Sequence, residues 1–213
     1  FYRTYALDFW GLGESGKKRD TYAVSDFVTL VDQFMEQLGI VHAPLVGHSM
    51  GGTVSLSVAI KYPQRVSKVV VVGSPIIGSS LAPLLKLSGY RPIAFMLFNM
   101  MGVFRTGMKL YSPYICRDPR FPEMMDRDLS RTTVESFLRS IASLRRTDLI
   151  PMIPQIKIPT MGMYGDKDVI VHPLQWQPLQ AGIPHAVVER FPTAGHFIML
   201  EEPTSFSQKL KTF

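Results

Sequence analysis

The stretch VGHSMGG, residues 46–52, sets Ser49 between Gly47 and Gly51. Further along, YGDKDVIVHP carries Asp166 and Asp168, and TAGHFIMLEEP carries His196. A serine hydroxyl is a weak nucleophile until a base takes its proton, and a histidine does this best when a carboxylate orients it. Ser, His and Asp together therefore suit attack on a carbonyl carbon through an acyl intermediate. Glycine-flanked serines are common, so the elements around Ser49 must decide whether it is a nucleophile or a turn residue.

Five histidines compete for the role of base. His48 lies inside the glycine turn, with its side chain expected on the face of the sheet opposite Ser49, as a structural residue. His42 precedes a short strand and His185 opens another, both as solvated positions. His172 precedes Pro173 in a loop. His196 differs, because it sits beside Gly195 in a loop beyond the last strand and before the final helix, where it can reach the serine from across a sheet. For the orienting acid, Asp168 is preferred to Asp166, which reads equally as a turn former at a strand end.

The elements that must hold these residues follow from periodicity. TYALDFWG alternates loosely and reads as a short strand running into a glycine-rich loop. From Ser25 to Gly39, Phe27, Leu30, Val31, Phe34, Met35 and Leu38 recur at helical spacing, with Ser25 as N-cap and Gly39 past the end. APLVGH is then a short buried strand, MGGTVSLSVAIKYP a helix closed by Pro63, and VSKVVVVG a strand covered on both faces. IPTMGMYG and HAVVERFP supply two more strands, with a helix around Leu174–Gln180 between them and a last helix from Pro203. Strands and helices in alternation make an α/β domain with a mostly parallel sheet. Residues 76–150, rich in Met, Phe, Leu and Arg, lack a strand pattern and read as a helical cap inserted into a core of residues 1–75 and 151–213.

This arrangement gives the serine motif its meaning. Ser49 falls where a buried strand ends and a helix begins, at the carboxyl ends of the strands where open α/β sheets place their sites. The N–H of Met50, opening that helix, points toward a developing oxyanion.

Composition narrows the alternatives. With 213 residues and 46% apolar content, the chain buries one sizeable core. No apolar run approaches the roughly 18 residues of a membrane span. The N-terminal FYRTYALDFWG lacks the pattern of a signal peptide, so a cytoplasmic setting is expected. The single cysteine, Cys116, makes no internal disulfide, and no Cys/His cluster has metal-ligand spacing, so neither metal nor cofactor is expected. A net charge of +6 comes from scattered residues such as Arg139, Arg145 and Arg146, read as a solvated helix face and not a nucleic-acid site.

Taken in order, DFWGLGESGK, GHSMGG with AIKYPQRVSKVVVVGSP, YGDKDVIVHP and AGHFIMLEEP resemble the α/β-hydrolase superfamily over nearly the whole chain. The resemblance implies Ser49 as nucleophile, His196 as general base and Asp168, three residues after Gly165, as the acid. It also implies a cap at 76–150 that sets the substrate. The family's first oxyanion donor comes from an HG segment, and no HG dipeptide occurs in this sequence. The expectation is a chain lacking its N-terminal strands, with Met50 as the remaining donor. The open sheet edge would then favour a homodimer.

Ser at the nucleophile position disfavours haloalkane dehalogenases and epoxide hydrolases, which use a carboxylate. The expected function is carboxylic-ester hydrolysis on a small, apolar substrate. Trp10, Phe95 and Met96 are candidate substrate contacts, with Phe98, Met100, Met101 and Phe104 in the same apolar stripe. Alternatives are C–C bond hydrolysis of ring-cleavage diketones and a non-catalytic binder on the same fold.

Overall fold

The computed structural model describes residues 3–17, 21–83, 85 and 101–213, the side chains of 101–105 excepted. Four strands, β1 (Ala43–His48), β2 (Val66–Val72), β3 (Thr160–Gly165) and β4 (Val187–Phe191), form one parallel sheet in the order β1-β2-β3-β4. Helix α1 spans Val24–Gln37 and α2 Met50–Lys61. After α2 the described helices are α3 (Met101–Ile115), α4 (Phe121–Ser130), α5 (Val134–Arg146), α6 (Trp176–Gly182), α7 (Ile198–Glu201) and α8 (Pro203–Thr212). Among the described residues no helix is long and apolar enough to cross a membrane.

The run of valines in β2 shows why the sheet needs helices on both faces. Val69 and Val71 enter a large cluster with Phe27 of α1 and Val54 and Val58 of α2. Val70 and Val72 enter a second cluster with Met161, Met163, Phe191 and, at its border, Phe206 and Leu210 of α8. Successive side chains alternate between faces, so each valine contributes about 1.5–3 kcal/mol of apolar burial to one side or the other.

Three expectations about elements are corrected. TYALDFWG forms no strand; its residues have no regular structure before a turn at Trp10–Ser15 and join no ladder. The β1 strand is not buried throughout: among the described residues it pairs only with β2, and Val46 is 53% exposed. Helix α1 begins one residue before Ser25, and its entry is closed by Asp26, whose Oδ2 accepts from the N–H of Ala23 at 2.7 Å. Gly39 does terminate the turn after α1, with φ +66°.

The segment between β2 and β3 leaves and rejoins the sheet at one place. Ile77 and Asp148 form an antiparallel bridge, the Gly78 N–H donates to Thr147 O at 2.7 Å, and the Leu149 N–H donates to Ile76 O at 3.0 Å. The helices α3–α5 are carried by this two-stranded neck. Helix α5 also rests on the core: Leu144 joins the large cluster, Ser136 Oγ donates to Gly11 O at 2.7 Å, and Ser143 Oγ accepts from the Val24 N–H at 3.1 Å.

Candidate active site

Ser49 links β1 to α2 with φ 53° and ψ −123°, the one positive φ among the described non-glycine residues. Such a backbone costs of order 1–3 kcal/mol and persists only where the surroundings over-determine it. The surroundings do so here. The Ser49 N–H donates to Val72 O at 2.8 Å, tying the turn to the end of β2. A Cβ on Gly47 would fall 2.3 Å from the Gly51 carbonyl carbon, and a Cβ on Gly52 would fall 1.9 Å from Ser74 Oγ. The close approaches in this turn are thus made by Gly47 and Gly52, whereas a Cβ on Gly51 meets nothing within 4 Å.

Although Ser49 occupies the N-cap position of α2, its hydroxyl makes no capping bond. The ordinary use of a serine at a helix start is thus declined, and Oγ is left for other partners. The N–H of Met50 opens the same helix, where the first amides have no intrahelical acceptor.

His196 and Asp168 come from different loops and meet as a buried pair. His196 is 3% exposed and Asp168 7%, and His196 Nδ1–H donates to Asp168 Oδ2 at 2.7 Å. The other carboxylate oxygen, Oδ1, accepts from the N–H of Ile170 at 2.8 Å and of Val171 at 2.9 Å. These two amides fix the carboxylate, and the carboxylate fixes the imidazole tautomer, leaving Nε2 for proton exchange. Gly73, at the end of β2 with φ +54°, makes room for the pair: its Cβ would lie 3.2 Å from His196 Nδ1 and 3.4 Å from Asp168 Oδ2. Ser49 Oγ and His196 are not hydrogen-bonded in this structure, and such bonds commonly close only around substrate.

The remaining candidates separate cleanly. Asp166 forms a two-point ion pair with Arg190, at 3.0 Å to Nε and 2.8 Å to Nη2, away from any histidine contact. His42, His172 and His185 are exposed. Arg139 pairs with Glu135 one turn earlier on α5 at 2.7 Å. Trp10 is partly buried and packs against the large core cluster. Phe95, Met96, Phe98 and Met100 lie outside the described residues, as do the side chains of Met101 and Phe104.

Sequence reasoning missed one support of the histidine loop and left unnamed the partner of another, His48, which it read as structural. Glu201, its side chain only 4% exposed, accepts from the Gly195 N–H and from the N–H and Nε of Arg117, both at 3.1 Å. Arg117 also donates to Thr193 O, and Phe121 of α4 lies 4.5 Å from Phe197, centroid to centroid. Arg117, between α3 and α4, and Phe121 of α4 thus hold the loop. The only hint in the sequence was the acidic pair Glu201–Glu202 five residues after His196. The second support, His48, is on the strand side: its register partner Val72 belongs to the α8-side cluster, and there its ring meets that of His196 at 4.6 Å.

The geometry is matched by kinship. The family model described as serine aminopeptidase, S33, matches residues 2–203. The chain belongs to this family. It is an α/β hydrolase, and its fold is shared by solved structures: the enol-lactonase of Burkholderia xenovorans superposes with a TM-score of 0.82 at 20% identity, covering 96% of this chain and 78% of that one. An α/β hydrolase from a deep-sea metagenome library superposes with a TM-score of 0.77 at 27% identity, over 96% of this chain and 76% of that one. Among relatives in sequence, the hydrolase is 28% identical to a 2-hydroxy-6-oxononadienedioate/2-hydroxy-6-oxononatrienedioate hydrolase of a Pseudomonas species, across 100% of this chain and 77% of that one. It is also 25% identical to 3-oxoadipate enol-lactonase 2 of Acinetobacter baylyi, across 99% and 78% respectively.

Proposed function

We propose that this hydrolase cleaves carboxylic esters through an acyl-enzyme on Ser49. The reading is carried by one observation: a serine in a strained turn, its hydroxyl unused by the helix it caps, stands at the same strand ends as a buried, hydrogen-bonded His196–Asp168 pair. Ser49 Oγ adds to the ester carbonyl while His196 Nε2 takes its proton, and Asp168 stabilises the imidazolium through Nδ1–H. The tetrahedral oxyanion receives a hydrogen bond from the Met50 N–H. Collapse breaks the bond to the alcohol, which leaves with the proton from His196. Water, deprotonated by His196, then adds to the acyl carbonyl, and its collapse releases the acid and restores Ser49.

In this reading residues 1–75 and 151–213 form the catalytic core, and 76–150 form a cap that shapes the acyl site. The neck at 76–78 and 147–149 and the contact of Phe121 with Phe197 support that division. Phe95 and Met96 of the cap and Trp10 of the core are assigned to the substrate.

A second reading, C–C bond hydrolysis of ring-cleavage diketones, is favoured by the kinship to the Pseudomonas dienedioate hydrolase. Steady-state turnover of p-nitrophenyl butyrate beside a 2-hydroxy-6-oxo-dienoate separates the two. Faster turnover of the ester is expected; turnover of the dienoate alone would replace the ester reading with the second.

A further inference from the structure

We propose that His48 is a positioning residue for His196, holding the base at a set distance from the nucleophile that follows it in the chain. The inference deepens the ester-hydrolase reading and rests on it. His48 is the last residue of β1 and the immediate neighbour of Ser49, so any contact it makes is transmitted to the serine turn by one peptide unit. It makes two separate contacts to the base. His48 Nε2–H donates to the backbone carbonyl of His196 at 3.0 Å, and the two rings lie 4.6 Å apart at 54°. The His48 ring also packs on Phe197 at 4.9 Å, and Phe197 packs on His196 at 5.2 Å.

These contacts give His196 three anchors of different kinds. Asp168 fixes its Nδ1, Glu201 fixes the amide of Gly195 before it, and His48 fixes its own carbonyl. Only the last comes from the strand that bears Ser49. The serine is held by β2 through Val72 O, and the base by loops after β3 and β4, so His48 is the direct tie between the two reacting groups. Burial and the neighbouring His196 keep the His48 ring neutral, and a neutral ring here places no positive charge beside the base during proton transfer.

The role predicts a loss in turnover without a loss in binding. In His48→Phe the ring is kept and the donor removed; in His48→Gln the donor is kept near the position of Nε2. We expect His48→Phe to lower kcat toward p-nitrophenyl butyrate by about tenfold or more, since small misplacements of a catalytic group are costly, with KM within about twofold. His48→Gln should recover most of that kcat, and both variants should melt cooperatively. The rate at which a fluorophosphonate labels Ser49 should fall in parallel in His48→Phe. A His48→Phe enzyme with unchanged kcat and labelling rate, or a His48→Gln enzyme as impaired as His48→Phe, overturns the inference while wild-type labelling leaves the ester reading standing. Absence of labelling in the wild type overturns both.

Discussion

At the strand ends, each group of the proposed triad is tied through at least one main-chain atom: the Ser49 N–H bonds Val72 O, Asp168 accepts from two successive amides, and the His48 ring holds the carbonyl of His196. The helices of residues 101–146 are held differently, through a neck of backbone pairs, a few hydroxyl contacts and the Arg117–Glu201 clasp. Backbone geometry tolerates little adjustment, whereas side-chain clasps can be rebuilt with other residues. On the proposed reading, the chemistry sits where backbone ties dominate, and the proposed cap is joined to the core by side-chain contacts as well as by its backbone neck.

The comparison breaks most sharply at the two carboxylates of one loop. Asp168→Asn should lower kcat by about 10⁴-fold with little change in KM, because the amide can no longer hold the catalytic tautomer. Asp166→Asn removes only a surface ion pair with Arg190, worth about 0–1 kcal/mol, and should leave turnover intact. Equal losses in the two variants would dissolve the distinction between them.

Two glycines make the same contrast in stability. Gly73→Ala places a Cβ 3.2 Å from His196 Nδ1 on a backbone of φ +54°, costing about 1–2 kcal/mol in backbone strain and displacing the base. Gly107→Ala in α3 meets nothing within 4 Å and should stabilise by about 0.5–1 kcal/mol. Thermal unfolding with parallel turnover reads both; a fully active Gly73→Ala enzyme would show that the close approach is not needed.

The histidine loop should also be acid-sensitive. Burial first, and then His196, lower the His48 pKa to about 3, below the unfolded value of about 6.5. Between those values the unfolded chain binds the extra proton, so stability falls as pH drops from about 6.5 toward about 3. His48→Gln should flatten this slope in melting temperature, and identical slopes would remove His48 from the account. A small effect is also expected at the clasp, where the Arg117 side chain is 58% exposed. Arg117→Ala should cost about 1 kcal/mol, or about 2–4 °C in melting temperature.

Much of the site was legible because its signals are local. A β-branched run marks β2, glycines bracket Ser49, and the resemblance to the α/β hydrolases, through its spacing from Gly165, points to Asp168. What escaped was set by neighbours distant in sequence. TYALDFWG alternates like a strand, but alternation forms a strand only where a partner supplies a ladder. Pro44 and Val46 read as buried until the order of the described strands puts β1 at the end of the described sheet. Gly52, Gly73, His48 and Glu201 owe their importance to approaches such as Gly52 to Ser74 across 22 residues and His48 to His196 across 148, which no periodicity encodes.

The central claim is that Ser49 is a nucleophile served by His196, and covalent labelling tests it most directly. A fluorophosphonate probe followed by peptide mass spectrometry should place one adduct on Ser49 in the wild type. Ser49→Ala should carry none, and His196→Ala should label far more slowly. An adduct elsewhere, or equal labelling of the wild type and His196→Ala, would contradict the account.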